Sequence, residues 1–537
     1  MRRLLLASLL MTSAWPAFAQ TVDADGAKAL ADTLAKYFGR TAIEGKIVNV
    51  APEGDSYRVT LSTAELLKAI PGGGGYMEGD FGNYALLARP LADGTWNMSA
   101  ATLPAGSIKM TTPTGPEALQ WSFENAALSG VFDPKLGTFS KSDFSYDSFK
   151  MTSTSAVQDI EASAGPAKGH TTGMANPAGG VDVSNTQTAS NFVESILMKS
   201  PPAPASDDGA AATAPEPAAP EQPLKAVVRS GDVSFSADAK GARNLEILDL
   251  WAFFVAHSDV KTLTDPQQAE LKGKLLAALP LWEKLAGSYR FGGLDIDTPL
   301  GKFTAKTIAQ EMDFDGISKD GGYHFALRTN GLTYPALPIP DWGLPFLPTD
   351  VELAFGAESI DLDTLVKAAV ADMDLRRDEP FSDAFQSNAA AAFVTNPPKV
   401  VIDKSTVRTA ESEITVEGEV SFAGMKPTSR TTWEMAGFDA ALDRLNKAAE
   451  HEPEVKNYVV FAKLAKDFGT QLPNGHIQWI VDQQADGSVS VNGNAVKGPD
   501  PVATPDDDDA LDGTMLDDNI IDPDAGSDSD NADAPKQ

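Results

Sequence analysis

Residues 476–493 read HIQWIVDQQADGSVSVNG, two runs of alternating apolar and polar residues joined across Asp486-Gly487. Period-two alternation puts every second side chain on one face of a β-strand, and Asp-Gly is favoured chemistry for a two-residue hairpin turn. The same texture recurs in SYRVTL (56–61), NYALLA (83–88), TWNMSA (95–100), YHFALRT (323–329) and EITVEGEVSF (413–422). Strands that follow strands, instead of alternating with helices, pair antiparallel. No other feature restricts the fold as much.

Amphipathic segments interrupt the strands. Residues 23–39 set Leu30, Leu34 and Phe38 on one helical face and stop at Gly39. Residues 265–287 open with Asp265 and Pro266 in cap and first-turn positions, and Pro280 predicts a kink. Residues 362–373, 437–450 and 452–469 complete the set, the last with Gly469 expected as the left-handed residue after the helix. The expected fold is α+β: a large curved antiparallel β-sheet, a groove or half-barrel. A few amphipathic helices pack on one side, and a disordered insertion interrupts the chain.

That insertion is expected over 163–224. Residues 201–223 are Pro/Ala-rich without a buried-face period, and 163–180 are polar and broken by Gly and Pro; SNFVESILMKS (190–200) between them has the character of one short element. The remaining organisation is a signal peptide (1–19), an N-terminal β-rich half (20–162), a C-terminal α+β half (225–498) and a disordered acidic tail (499–537). The signal peptide rests on Arg2 and Arg3, the apolar run LLLASLLM (4–11) and small residues at Ala17 and Ala19, which predict cleavage after Ala19 and a periplasmic destination. No later run approaches the ~18 apolar residues of a membrane-spanning helix.

One phrase occurs twice, DPKLGTFS (133–140) and DTPLGKFT (297–304), each between strand-like runs. Asp as backbone acceptor, Gly at positive φ and flanking Leu and Phe returning to the core predict a hairpin turn in both places. Asp295, Asp297, Asp313 and Asp315 offer a sharper alternative, carboxylates gathered around a cation.

The formal charge is −32, from 75 acidic and 43 basic residues, which works against binding a phosphate backbone, so no nucleic-acid partner is expected. Residues 500–537 alone hold thirteen Asp and one Lys. The absence of cysteine removes thiolate metal sites and thiol nucleophiles. His170, His257, His324, His451 and His476 stand singly, and neither a G-x-S-x-G elbow nor a complete phosphate or dinucleotide loop occurs. Residues 508–519 imitate the start of an EF-hand, but Ala510 and Asn519 occupy ligand positions. No catalytic residue, metal site or cofactor is therefore assigned.

Residues 333–350, TYPALPIPDWGLPFLPTD, carry five prolines and cannot form a central strand. Tyr334, Trp342 and Phe346 are large rings on a stiff backbone. They suit contact with a peptide or lipid, or else they plug one end of the sheet's core.

The stretch EITVEGEVSFAGMKPTSRTTWEMAGFDAALDRLNKAAE (413–450), followed by a helix and the 476–493 hairpin, resembles an uncharacterised proteobacterial family of exported proteins, broadly similar to YdgA-like and AsmA-like envelope proteins. The resemblance covers about 225–495, and more faintly 20–160. It implies a long curved sheet forming an apolar groove. AsmA-like proteins carry an N-terminal membrane anchor, where this chain has a cleavable signal. The expected function is that of an exported, non-enzymatic envelope protein binding an apolar ligand such as a lipid, or a protein partner, in that groove. A periplasmic hydrolase with a carboxylate-based site and a structural interaction protein are the alternatives.

Overall fold

The computed structural model describes residues 22–500, apart from 64, 66–76, 81, 101–102, 113–114, 200–223, 396 and 423–425. The expected signal peptide (1–19) and almost all of the tail expected over 499–537 lie outside the described residues.

The chain enters through α1 (Ala24–Phe38) and the single turn α2 (Arg40–Glu44). It continues as β1 (Val48–Glu53), β2 (Ser56–Ser62), β3 (Met77–Asp80), β4 (Asn83–Pro90), β5 (Trp96–Ala100) and β6 (Gly106–Thr112). Then come β7 (Gly115–Glu124), β8 (Ala127–Asp133), β9 (Thr138–Tyr146), β10 (Ser148–Thr154), β11 (Gln158–Ala164) and β12 (Ala167–Ala175). Two 18-residue strands, β13 (Val181–Met198) and β14 (Lys225–Ala242), lead into α3 (Asn244–Ala256) and α4 (Asp265–Ala277). After β15 (Lys284–Thr298), β16 (Gly301–Asp315), β17 (Gly321–Asn330) and β18 (Asp350–Ile360) come α5 (Leu362–Asp372) and α6 (Asp383–Thr395). The last part is β19 (Lys399–Arg408), β20 (Glu413–Ser421), β21 (Thr428–Ala436), α7 (Phe438–Ala449), α8 (Val455–Phe468), β22 (Thr470–Gln471), β23 (Ile477–Gln483), β24 (Val489–Val491) and β25 (Asn494–Lys497).

All pairings are antiparallel and join into one open sheet, with β1 and β25 each bound on a single side. The expected α+β architecture is the one observed. From β13 onward each large strand neighbours the next in the chain. The short strands before β13 are halves of longer ones: β13 pairs with β12 over Val181–Ala189 and with β11 over Val193–Met198. The breaks between halves line up. Asn125 (φ 50°) faces the Tyr146–Asp147 break, Gly165 donates its N–H to the Ser190 carbonyl, and Asn191 (φ 54°), Gly231 and Gly293 (φ 59°) stand opposite one another. Interruptions in register across neighbouring strands, three of them at the left-handed residues Asn125, Asn191 and Gly293, make a crease, each breaking its ladder where the next strand is broken too. Buried Ser230 spans the crease by donating toward the carbonyls of Asp232 (2.8 Å) and Gly292 (2.9 Å).

The main core lies under α1, where Leu30, Leu34, Val48, Tyr57, Trp96 and Phe132 are fully buried. Asp23 caps α1 by accepting from the Gly26 N–H at 2.8 Å, and Gly39 (φ 86°) ends it as expected. Helices α1, α3, α4, α5 and α6 contact one another in sequence along the strand ends at 242–284 and 360–399. In that row Gln268 of α4 donates to Asp374 (3.0 Å) and accepts from the Leu375 N–H (2.9 Å).

Two expectations need correction. Residues 163–198 are ordered strand, not a loose insertion: β12 and β13 are rich in Ser, Thr, Asn and Gln, so their polarity reflects solvated faces. Only 200–223 of the expected insertion lies outside the described residues. The helix expected over 265–287 ends at Ala277, short of Pro280, and the alternating residues from Lys284 onward form β15. Both copies of the repeated phrase are hairpin turns with Gly at positive φ (Gly137, 62°; Gly301, 118°). Only Asp133 caps its turn, accepting from the Lys135 N–H at 2.9 Å. In the second copy Thr298 does so instead, accepting from the Leu300 N–H at 3.2 Å, while Asp297 pairs with Arg229.

Candidate functional site

From β16 through β21, among the described residues, no aliphatic or aromatic side chain larger than alanine is fully buried, save Val370 of α5. The ladder register explains what these strands do with their apolar residues. One face carries cross-strand ring pairs, Phe235–Tyr289 (4.7 Å), Phe314–Tyr323 (4.6 Å) and Phe325–Phe355 (5.2 Å). The same face continues through Val400, Ile414 and Trp433, all exposed. The opposite face is a lattice of ion pairs: Arg328 with Glu311 and Glu352 (2.6 Å each), Lys284 with Asp313 (2.8 Å) and Arg430 with Asp482 (3.0 Å). A trough of about 770 Å³ on this charged face is lined by Ser236, Glu311, His324, Arg328, Glu352 and Asp403, among others. The trough on this face is therefore polar in its lining, and the exposed apolar side chains lie on the other face.

The apolar face ends beneath α8, and there it forms a cleft. Its floor is Ile414, Trp433, Met435, Trp479, Val481 and Val491, and its wall is Phe461, Leu464, Ala465 and Phe468 of α8 with Phe438 of α7; the volume is about 520 Å³. Register explains the floor. Ile414 pairs with Met435 and Met435 with Ile477, while Val416, Trp433 and Trp479 share the next rung, so alternate residues of β20, β21 and β23 point the same way. The wall comes from helical spacing, since positions 461, 464, 465 and 468 fall on one side of α8.

Three contacts hold α8 against the sheet. The Trp479 indole N–H donates to the Ala465 carbonyl (2.6 Å), and the Asn492 amide donates to the Phe468 (2.8 Å) and Gln478 (3.0 Å) carbonyls, so Trp479 and Asn492 both satisfy carbonyls at the C-terminal end of α8. Gly469 is the third: a Cβ there would sit 2.2 Å from Ile477 Cγ2. Gly469 has φ −79°, so it is needed for close approach and not, as expected, for a left-handed turn. On its other side α8 buries Val455 and Val459 along α7, where Ala441 and Ala448 are buried.

The electrostatics of this helix run against the chain's charge. α8 contains Lys456, Lys463 and Lys466 against Asp467. Lys466 pairs with Asp439, whereas exposed Lys456 and Lys463 have no ion-pair partner among the described residues. On the charged face of β21, Glu434 bonds His476 (2.5 Å), which holds its carboxyl below the usual range.

Tyr334, Trp342 and Phe346 do not line this cleft. All three are half-buried in the 331–349 loop, with Tyr334 donating to the Pro348 carbonyl (2.8 Å) and Trp342 to Glu452 (2.7 Å) in the α7–α8 turn. Phe346 lies against Trp342 (6.4 Å) and Phe303 against Tyr334 (6.2 Å), so the loop binds its own rings at that end of the sheet. The acidic residues around the second turn are likewise tied to cations, Asp295 to Lys302 (2.9 Å) and Asp313 to Lys284 (2.8 Å). Among the described residues no group of three or more His, Asp or Glu is placed to hold a metal ion, and no helix is long and apolar enough to cross a membrane.

An open antiparallel sheet with one apolar and one charged face, and a hydrophobic cleft under a helix at one end, defines the molecule in structural terms. Comparison with protein-family models, with curated proteins and with solved structures finds no match.

Proposed function

We propose that this is an exported, non-enzymatic envelope protein that binds an apolar ligand, a lipid chain being the simplest, in the cleft beneath α8. The observation that carries the reading is the cleft's wall: Phe461 is 68% exposed beside exposed Leu464 and Trp433. A contiguous apolar surface of this kind on a solvated protein marks a contact site. The signal-like N-terminus and the resemblance to YdgA-like and AsmA-like proteins support a periplasmic setting.

The test is native mass spectrometry of protein purified from the periplasm of a Gram-negative host without detergent. Co-purifying lipid, displaced by N-phenyl-1-naphthylamine, is the expected result. A ligand-free spectrum together with no binding of that probe would overturn the reading.

A further inference from the structure

The trough of about 770 Å³ on the charged face plays no part in lipid binding, and its construction is specific. Ser236, Ser288, Glu311, Ala326 and Ala354 stand on one rung from β14 to β18, so all but Glu311 leave the floor low. Longer charged side chains rise beside that rung, Asp313 and His324 on one flank, Arg328 and Glu352 on the other.

Two departures from regular strand complete the far wall. In β19 the register shifts between Ile402 and Ser405 against both β18 and β20. Consecutive Asp403 and Lys404 are therefore both exposed in the trough, while Ser405 and Thr406 are both buried. At buried Gly356 a Cβ would sit 2.8 Å from His324 Nδ1. Its absence lets the imidazole cross β18 and reach Asp403 on β19 (3.1 Å).

The charges are matched along the trough but not at its ends. Arg328 is held by Glu311 and Glu352, Lys284 by Asp313, and His324 by Asp403. Asp238 on β14 and Lys404 on β19, both exposed, make no ion pair among the described residues. Five strand spacings separate β14 from β19, about 24 Å at about 4.8 Å each. One end thus offers a carboxylate to a cation and the other an ammonium to an anion. Between them Arg328 commits only Nε and one Nη to its carboxylates, and a guanidinium has further N–H donors to give. The Ser236 and Ser288 hydroxyls, 2.8 Å apart, add donors and acceptors on the floor.

A molecule with an ammonium at one end, a carboxylate at the other and amides between is a peptide. Extended at about 3.4 Å per residue, about seven residues cover the span. We propose that the trough binds a short extended peptide with free termini, its α-ammonium on Asp238 and its α-carboxylate on Lys404. Arg328, Glu352 and the Ser236–Ser288 pair meet its amide groups. The α8 cleft lies on the opposite face, so the two sites stand or fall separately.

The test is equilibrium dialysis of the full-length protein against a randomised heptapeptide pool, with retained peptide measured by mass spectrometry. The pool is offered with free ends, N-acetylated, and C-amidated. Free-ended peptides should be retained, and blocking either end should lower retention about threefold or more, the scale of one exposed ion pair. In Asp238→Asn acetylation should cease to matter while amidation still does, and Lys404→Gln should show the reverse. Both residues are exposed, and circular dichroism checks that each variant folds. Failure to retain the free-ended pool, equal retention of free and blocked peptides, or an end preference that survives both variants refutes the proposal. Retention of maltoheptaose at the level of the peptides refutes it too, because an uncharged glycan has no termini for Asp238 and Lys404 to read.

Discussion

Replacing Phe461 by alanine separates binding from folding at the cleft. A phenylalanine side chain offers about 200 Å² of surface. With Phe461 68% exposed, about 140 Å² is left for a ligand to cover and about 60 Å² is already covered by the fold. At about 25 cal/mol per Å² these areas correspond to about 3.5 kcal/mol of potential contact and at most about 1.5 kcal/mol of folding stability. Alanine keeps Cβ, and a flexible ligand recovers part of the loss, so about half the contact term disappears. The expected loss is about 1.5–2 kcal/mol in binding, a ten- to thirtyfold rise in Kd. Fluorescence titration with N-phenyl-1-naphthylamine measures the first quantity, and urea unfolding followed by circular dichroism measures the second. A change in Kd below twofold would show that bound probe lies elsewhere. A loss of stability beyond about 3 kcal/mol would show that Phe461 is part of the core, and the surface reasoning would fail with it.

Two further outcomes concern neighbouring residues. Gly469→Ala places a methyl 2.2 Å from Ile477 Cγ2, so α8 must lift from β23; a loss of about 1–3 kcal/mol in urea unfolding is expected, and an unchanged midpoint would show that the helix end is not in contact. Glu434 has its folded pKa lowered from 4.5 mainly by the His476 hydrogen bond, so its contribution is present above that unfolded value and lost as pH falls through the folded pKa. Glu434→Gln should therefore be less stable than the native chain at pH 7, with the gap closing as pH falls below 4.5; a gap that persists undiminished in strong acid would contradict the pairing.

The sheet was legible because period-two alternation survives wherever one face is apolar and the other charged, as in β17, β20 and β23. It failed at β12 and β13, where Thr171, Thr172, Asn185 and Gln187 leave both faces polar and the strands resemble a linker. Helix α3 escaped notice because NLEILDLWAFFVA is apolar almost all round, without the stripe that marks a surface helix. The cleft was hidden for a different reason. Its floor and wall come from residues 414–491, and Val460, Phe461 and Leu464 look in sequence like any helix's inward face. Tyr334, Trp342 and Phe346 drew attention because their rings lie close together along the chain, but Tyr334 and Trp342 spend their polar atoms on internal partners.

The order of strands has a consequence for how the molecule comes apart. Because each long strand leans mainly on its predecessor and successor, few contacts must wait for distant parts of the chain, and structure can spread from one rung to the next. Unfolding should accordingly fray inward from the β25 edge, while the region packed under α1, with its concentrated core, opens last.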